Sequence, residues 1–263
     1  MTIKEFFGFG TGEYSHGAPG DGFLSWQHLT FCTVFLAIAV FLGIFLGLRY
    51  KNKTGKEKNN VLIWSAIIID GFEIAKIIIG SIQDPNFWKI AFPLFLCSIQ
   101  LITIPLAAFT KGRIKEAALD FIFIFGVIGG VSGMYGQAVN FNAFPAFSWP
   151  NVVSAVTHNV ACFASLYIGI SGMASMKKNN ILITFAILFG FGIAAYIANV
   201  LLDYNYMYLM HGAGTPYDIF YNMVNGNPII YPLVVMLLFV LYILVYYAIF
   251  LCVRKKKELK SKI

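Results

Sequence analysis

Charged residues are scarce in this sequence. They make up 12% of its 263 residues, whereas hydrophobic residues make up 59%, and the mean hydropathy is +0.74. A soluble domain carries about 25% charged residues, because most of its surface must face water. The deficit therefore excludes an ordinary soluble domain and predicts a chain that lies largely in a membrane.

Cysteine is also rare, and its placement argues against a disulfide framework. The four cysteines all fall within long apolar segments rather than in exterior loops: Cys32, Cys97, Cys162 and Cys252.

The N-terminal residues differ from the apolar segments. Residues 1–22 lack the apolar core of a signal peptide and are rich in glycine, so we expect a short exterior N-terminal tail.

Seven apolar segments are long enough to cross the hydrocarbon core, which takes about 20 residues of helix. No internal repeat of hydropathy and no low-complexity linker divides them. We therefore predict an all-α membrane protein, a seven-transmembrane-helix bundle over residues 23–253 with a long exterior loop at 203–228. The segments are 23–48, 61–82, 90–110, 116–137, 150–172, 180–202 and 229–253.

The positive charges set the predicted orientation, because short loops rich in Lys and Arg stay on the cytoplasmic side. Sixteen of the 19 Lys and Arg residues fall in 49–58, 111–115, 177–178 and 254–262, which are alternate gaps between segments. We expect the N-terminus outside, the C-terminus inside as a basic tail (254–263), and a multi-pass protein of the plasma membrane. Charges placed beside spans attract anionic lipid headgroups and do not indicate nucleic-acid binding, so membrane lipids are the expected partners.

Ionisable residues inside a span are costly and require a reason. The second segment carries Asp70, Glu73 and Lys76, which share one helix face. Glu73 and Lys76 are three residues apart and can form an ion pair. Two interpretations stay open: a self-neutralising polar seam that orients the helix, or a charge that lines a cavity or acts as a general acid or base.

Reactive side chains on four segments lie at similar predicted depths. At 1.5 Å per residue, His28, Glu73, Cys97 and His158 are about 8–15 Å below the exterior ends of their segments. A shared cavity in the outer half of the membrane requires such a common depth.

Two chemistries fit this set. A thiol beside an imidazole can act as an activated nucleophile that accepts an acyl chain from a phospholipid. Alternatively, His28 with Cys32 and His158 with Cys162 are pairs four residues apart, and with Cys97 they could bind a soft metal or haem. Cysteines and histidines at this spacing are more often packing residues, so we assign neither a metal nor a cofactor.

Several motifs resemble the YwaF-like family of bacterial integral membrane proteins. The most specific is Asn199-x-Leu-x-x-x-Asn205-Tyr206-Met207-Tyr208-Leu209, and a second is Pro93-Leu94-Phe95-Leu96-Cys97. Ser25-x-x-His28, Glu73 and His158 continue the match, so the resemblance covers most of the chain. Two departures occur: Phe95 stands where the family has a histidine, and a Gly-Pro-x-Pro-Trp-Tyr run is reduced to Gly226-Asn-Pro-Ile-Ile-Tyr231.

The family is similar to eukaryotic membrane lipid acyltransferases and hydrolases, in which a membrane-embedded Cys or Thr works with a His. This resemblance implies that Cys97 is the acyl-accepting nucleophile and His158 the base. Glu73, Asn199 and Asn205 would orient or stabilise the site, and His28 could supply the imidazole that Phe95 lacks.

The sequence thus predicts a membrane-embedded lipid acyltransferase or hydrolase that acts near the outer leaflet through a Cys–His pair. The alternative is a non-catalytic permease or solute-binding membrane component with an outward-facing polar cavity. In that case His28, Glu73, His158 and Asn205 would line the site.

Overall fold

The computed structural model describes residues 1–9 and 19–260, with side chains as far as residue 255, and the described part is helical without β-strands. The helices are α1 (Ile3–Phe6), α2 (Trp26–Tyr50), α3 (Gly55–Gln83), α4 (Phe87–Ala91), α5 (Gln100–Phe109), α6 (Gly112–Tyr135), α7 (Ala138–Ala143), α8 (Trp149–Ser171), α9 (Ile181–Leu202), α10 (Tyr217–Met223) and α11 (Ile230–Lys260).

Five stretches of the described chain are long and apolar enough to cross a membrane: Trp26–Tyr50, Gly112–Ala143, Trp149–Ser171, Lys178–Leu202 and Ile230–Lys255. Their apolar surfaces agree with the membrane class predicted from composition. The count of seven spans and the orientation stay predictions.

The second and third predicted segments differ from those five. α3 has 29 residues and is long enough, but the ionisable residues Asp70, Glu73 and Lys76 interrupt its apolar sequence. The third segment is not one helix, because α4 and the short apolar α5 are separated by irregular backbone at 92–99. Pro93 lacks a backbone N–H and disfavours the helical conformation at Phe92, which is extended (φ −62°, ψ 129°).

The described chain divides into two compact units. The first unit comprises Met1–Phe92 and Gln100–Ala174 and holds α1 to α8. The second comprises Pro93–Ile99 and the chain from Ser175 onward, and it holds α9 to α11.

Helix α8 is the central helix of the first unit, and glycines let its neighbours approach it closely. A Cβ at Gly126 of α6 would lie 2.5 Å from the Ala161 carbonyl oxygen, and one at Gly130 would lie 2.7 Å from the His158 carbonyl oxygen. On the other side, a Cβ at Gly47 of α2 would lie 2.7 Å from Ile170 Cβ. Close packing of small residues is a main source of helix association in lipid, where no hydrophobic effect drives it.

Helices α3 and α5 complete the core of the first unit. The Tyr167 hydroxyl of α8 donates to the Lys58 carbonyl oxygen of α3 at 3.0 Å, and the Lys58 ammonium donates to the Ser171 carbonyl oxygen at 2.7 Å. These bonds fix the register of α3 on α8. The buried core residues are Leu62, Ala66, Ile69, Ile104, Ala107, Ala108, Ala118, Leu119, Ile122, Ala164, Tyr167 and Ile168.

The described part of the N-terminal tail packs against the turn before α8. The Gly22 N–H donates to the Phe141 carbonyl oxygen at 2.9 Å, and the Ala146 N–H donates to Asp21 Oδ2 at 2.6 Å. Residues 19–23 are therefore held to the first unit by these hydrogen bonds.

Candidate functional site

The His158 imidazole is held by its own helix. Its Nδ1 lies 2.8 Å from the Ser154 carbonyl oxygen, one turn earlier in α8. A carbonyl oxygen can only accept, so Nδ1 carries the proton and donates it. In the neutral ring, Nε2 is then the nitrogen with the lone pair.

A chain of polar side chains lies behind this imidazole. Gln137 Nε2 donates to the Ser154 hydroxyl, and Asn140 Nδ2 donates to Gln137 Oε1 at 3.2 Å. The Ser154 hydroxyl lies 3.3 Å from His158 Nδ1. These contacts hold the ring at Nδ1.

Gly133 of α6 provides the space for the imidazole. A Cβ at this position would lie 1.7 Å from His158 Cδ2 and 2.1 Å from Nε2. No real Cβ contact is that short, so any larger side chain would displace the ring. Gly133 and Ser154 were not identified from the sequence as site residues, although Gly126, Gly130 and Gly133 recur at helical spacing.

His28 has a different environment, because backbone groups engage both of its ring nitrogens. The Leu24 N–H donates to Nδ1 at 3.0 Å, and Nε2 donates to the Met134 carbonyl oxygen at 3.4 Å. Cys32 Sγ donates to the same carbonyl oxygen at 3.3 Å. His28 and Cys32 therefore lie on one face of α2, as their spacing predicted, and both contact the C-terminal end of α6.

Glu73 and Lys76 form the predicted ion pair, with Lys76 Nζ 2.5 Å from Glu73 Oε1. Glu73 is buried, at 8% exposure, whereas Asp70 is only half-buried. Asp70 borders a groove of about 400 Å³ between α3 and α5, and the rest of the groove lining is apolar except for Thr110. The contact confirms the pairing and leaves the roles proposed for Glu73 untested.

Cys97 lies on the irregular segment between α4 and α5, half-buried. The neighbouring Phe95 ring lies 5.5 Å from Tyr206 and 6.2 Å from Tyr208. Burial raises the pKa of the Tyr208 hydroxyl, and a thiolate at the nearby Cys97 would raise it further. Tyr208 is therefore protonated at neutral pH and can act as a hydrogen-bond donor.

The motif from Asn199 to Leu209 folds as a tight turn at the end of α9. Asn199 Nδ2 donates to the Tyr206 carbonyl oxygen at 3.0 Å, and the Tyr206 N–H donates to Asn199 Oδ1 at 2.6 Å. Asp203, Met207 and Tyr208 have φ between 51° and 56°, in the left-handed region. Such backbone is strained and persists only where contacts such as these hold it.

Asn205 makes the equivalent contacts on the next stretch of the loop. Its Oδ1 accepts from the Met210 N–H at 2.9 Å, and its Nδ2 donates to the His211 carbonyl oxygen at 2.8 Å. Both asparagine side chains thus bind backbone groups, and Asn199 holds Tyr206, whose ring contacts Phe95.

The predicted site residues are distributed over both units. His28, Glu73 and His158 belong to the first unit, whereas Cys97, Asn199 and Asn205 belong to the second. Among the residues that the structure describes, no three His, Cys, Asp or Glu side chains converge in a way that could hold a metal ion.

Comparison with known proteins gives one match. A sequence model of the TMEM164 family matches residues 23–251, which is most of the chain. No curated protein and no solved structure matches it.

Proposed function

This chain belongs to the TMEM164 family, and we propose that it is a membrane-embedded lipid acyltransferase or hydrolase that uses Cys97 and His158. The observation that carries the proposal is the fixed tautomer of His158, whose Nδ1 donates to the Ser154 carbonyl oxygen and leaves Nε2 basic. A general base must present an unprotonated nitrogen to the group that it deprotonates, and this tautomer supplies one at Nε2.

In the first step, His158 Nε2 takes the proton of the Cys97 thiol. The thiolate sulfur attacks the ester carbonyl carbon of a phospholipid, and the bond between that carbon and the glycerol oxygen breaks. The imidazolium returns the proton to the departing glycerol oxygen, which leaves a lysophospholipid and an acyl thioester on Cys97. A hydroxyl-bearing molecule then attacks the thioester as His158 removes its proton, and the thiol re-forms.

The Ser154 carbonyl oxygen has the role that a carboxylate has in a catalytic triad. It fixes the tautomer and stabilises the imidazolium when Nε2 gains its proton. A carbonyl dipole is weaker than a full charge, which suits a Cys nucleophile because a thiol needs less assistance than a hydroxyl.

Covalent labelling tests the proposal. The full-length protein with Cys252→Ser, which removes the exposed cysteine, is treated in membranes with a long-chain 2-bromoacyl probe. We expect labelling that Cys97→Ser abolishes. His158→Ala should slow it by about 10²-fold or more, the usual contribution of a general base.

A glycine pair supplies the matched control for this experiment. Gly133→Ala should slow labelling because its Cβ would overlap His158 Nε2, whereas Gly71→Ala, whose Cβ would meet nothing within 4 Å, should not. Labelling that persists at the same rate in His158→Ala would contradict the proposal. So would solute uptake that depends on Glu73 and survives Cys97→Ser, since it would favour a permease.

A further inference from the structure

A notch lies where α2 ends and α3 begins, and none of the residues of the proposed site lines it. It belongs to the first unit and has a volume of about 310 Å³. Its lining combines apolar, aromatic and charged side chains: Phe45, Leu46, Arg49, Tyr50, Lys53 and Glu57.

Arg49 is the unneutralised charge of this notch. Its guanidinium is exposed and has no hydrogen-bond or ion-pair partner in the part of the chain that the structure describes. Glu57 is the one acidic residue of the lining, and its oxygens are already engaged. Oε1 lies 3.4 Å from Lys53 Nζ, and Oε2 accepts from the Thr54 N–H at 3.0 Å and the Thr54 hydroxyl at 2.9 Å.

The charge around the notch favours an anion. Residues 49–58 contain five Lys and Arg residues and one Glu. The planar guanidinium of Arg binds a phosphate through two parallel N–H groups, which a Lys ammonium cannot do. The notch therefore offers a bidentate donor in a positive field.

The other half of the notch is apolar and continues along the helix. Phe45 lies one turn before Arg49 on α2 and is 53% exposed, and Phe41 lies one turn further and is 65% exposed. Their rings are stacked with centroids 5.9 Å apart. A ligand that fits both halves has an anionic head and an apolar tail aligned with α2.

We propose that this notch binds one anionic phospholipid. Arg49 holds the phosphate in the positive field of the neighbouring lysines, and an acyl chain lies along Phe45 and Phe41. The site includes neither Cys97 nor His158. Its test is therefore separate from the test of the proposed catalytic function.

Native mass spectrometry of the full-length protein released from detergent micelles tests this site. Phosphatidylglycerol and phosphatidylcholine with identical acyl chains are titrated separately. We expect one phosphatidylglycerol to bind more tightly than any phosphatidylcholine. Arg49→Gln should weaken that binding about fivefold or more, the effect of removing one basic residue from an anionic lipid contact.

Arg113→Gln is the matched control, since Arg113 is an exposed arginine in another basic segment, and it should leave binding unchanged. Arg49→Lys keeps the positive charge but lacks the two parallel N–H groups of the guanidinium, and it should give an intermediate affinity. An equal loss in Arg113→Gln would overturn the site in favour of diffuse attraction. Displacement of the lipid by millimolar inorganic phosphate would assign the notch to the free anion instead.

Discussion

The Asn199 side chain stabilises the turn after α9 by pairing with both backbone groups of one residue, as residues of neighbouring strands do in a sheet. It is 2% exposed, and its amide both donates to and accepts from the backbone of Tyr206. The amide is neutral at ordinary pH and presents its donor and its acceptor on two atoms of one planar group. The left-handed residues that follow depend on it.

We expect Asn199→Asp to destabilise the folded protein by about 2–4 kcal/mol at neutral pH. The carboxylate still accepts from the Tyr206 N–H but faces the Tyr206 carbonyl oxygen without a proton, which leaves a buried acceptor unpaired. Thermal unfolding in detergent measures the loss. Asn222→Asp, at an exposed position of α10, is the control and should change little.

Contacts at the residue scale were predictable where they are local in sequence. The ion pair between Glu73 and Lys76 follows from their spacing, because residues three apart share a helix face. The contacts of His28 did not follow from spacing, because the Met134 carbonyl oxygen is 106 residues away and carries no side-chain signal. The asparagine motif could be recognised, but its backbone partners could not.

At the scale of elements, α6 and α8 approach each other only because glycines face α8. A Cβ at Gly126 would meet the Ala161 carbonyl oxygen, which is backbone and cannot move aside as a flexible side chain can. Helix association in lipid rests on this packing.

Gly126→Ala should therefore destabilise the protein by about 1–3 kcal/mol, the usual cost of overpacking. Gly71→Ala lies in open space on α3 and should be neutral or stabilising by up to about 1 kcal/mol, because Ala has the higher helix propensity. Unfolding in mixed detergent micelles compares the two variants. Equal stabilities of the two variants would contradict the close packing of α6 against α8 at Gly126.

The start of α3 predicts a pH dependence. Hydrogen bonds from the Thr54 N–H and hydroxyl hold the pKa of Glu57 below its ordinary value of 4.5. Because the folded-state pKa is lowered, the stabilisation from ionised Glu57 is complete above the unfolded-state pKa. It is lost as the pH falls through the folded-state pKa.

Amide hydrogen exchange at 55–58 should therefore accelerate as the pH falls below about 4.5, beyond the intrinsic pH effect on exchange. Thr54→Ala should raise the pKa of Glu57 toward its ordinary value, because one of its donors is removed. NMR titration of the Glu57 carboxyl carbon measures that shift. An unchanged titration in Thr54→Ala would mean that the cap does not form in solution.

The third predicted segment shows where hydropathy alone is insufficient. Residues 90–110 are apolar enough to suggest one span, yet α4 ends at Ala91 and α5 begins at Gln100. Pro93 was the available signal, since proline disfavours helix at the preceding residue. Average hydropathy over a window cannot register a break in hydrogen bonding.

At the scale of the whole molecule, composition and charge predicted a helical membrane protein. Family membership and the five apolar stretches agree with that class. The distribution of the site residues over two units could not be predicted, because depth along a helix does not specify which helices are neighbours.

The predicted orientation can be tested with introduced cysteines in a Cys97→Ser, Cys252→Ser background, in which the remaining native cysteines, Cys32 and Cys162, are buried. We expect Lys53→Cys and Lys178→Cys to react with a membrane-impermeant maleimide only after the cells are opened. Asn86→Cys and Asn222→Cys should react on intact cells, and all four positions are exposed. The reverse pattern would place the N-terminus inside.

The irregular backbone around Cys97 also bears on the fate of the acyl group in the proposed mechanism. Peptide groups outside a helix must find partners other than lipid, so this stretch has to be sheltered by protein or wetted by solvent. A wetted segment would deliver the acyl group to water and release a free fatty acid. A sheltered one would hold the thioester until a second lipid arrives, so deuterium uptake at residues 94–99 should separate a lipase from a remodelling enzyme.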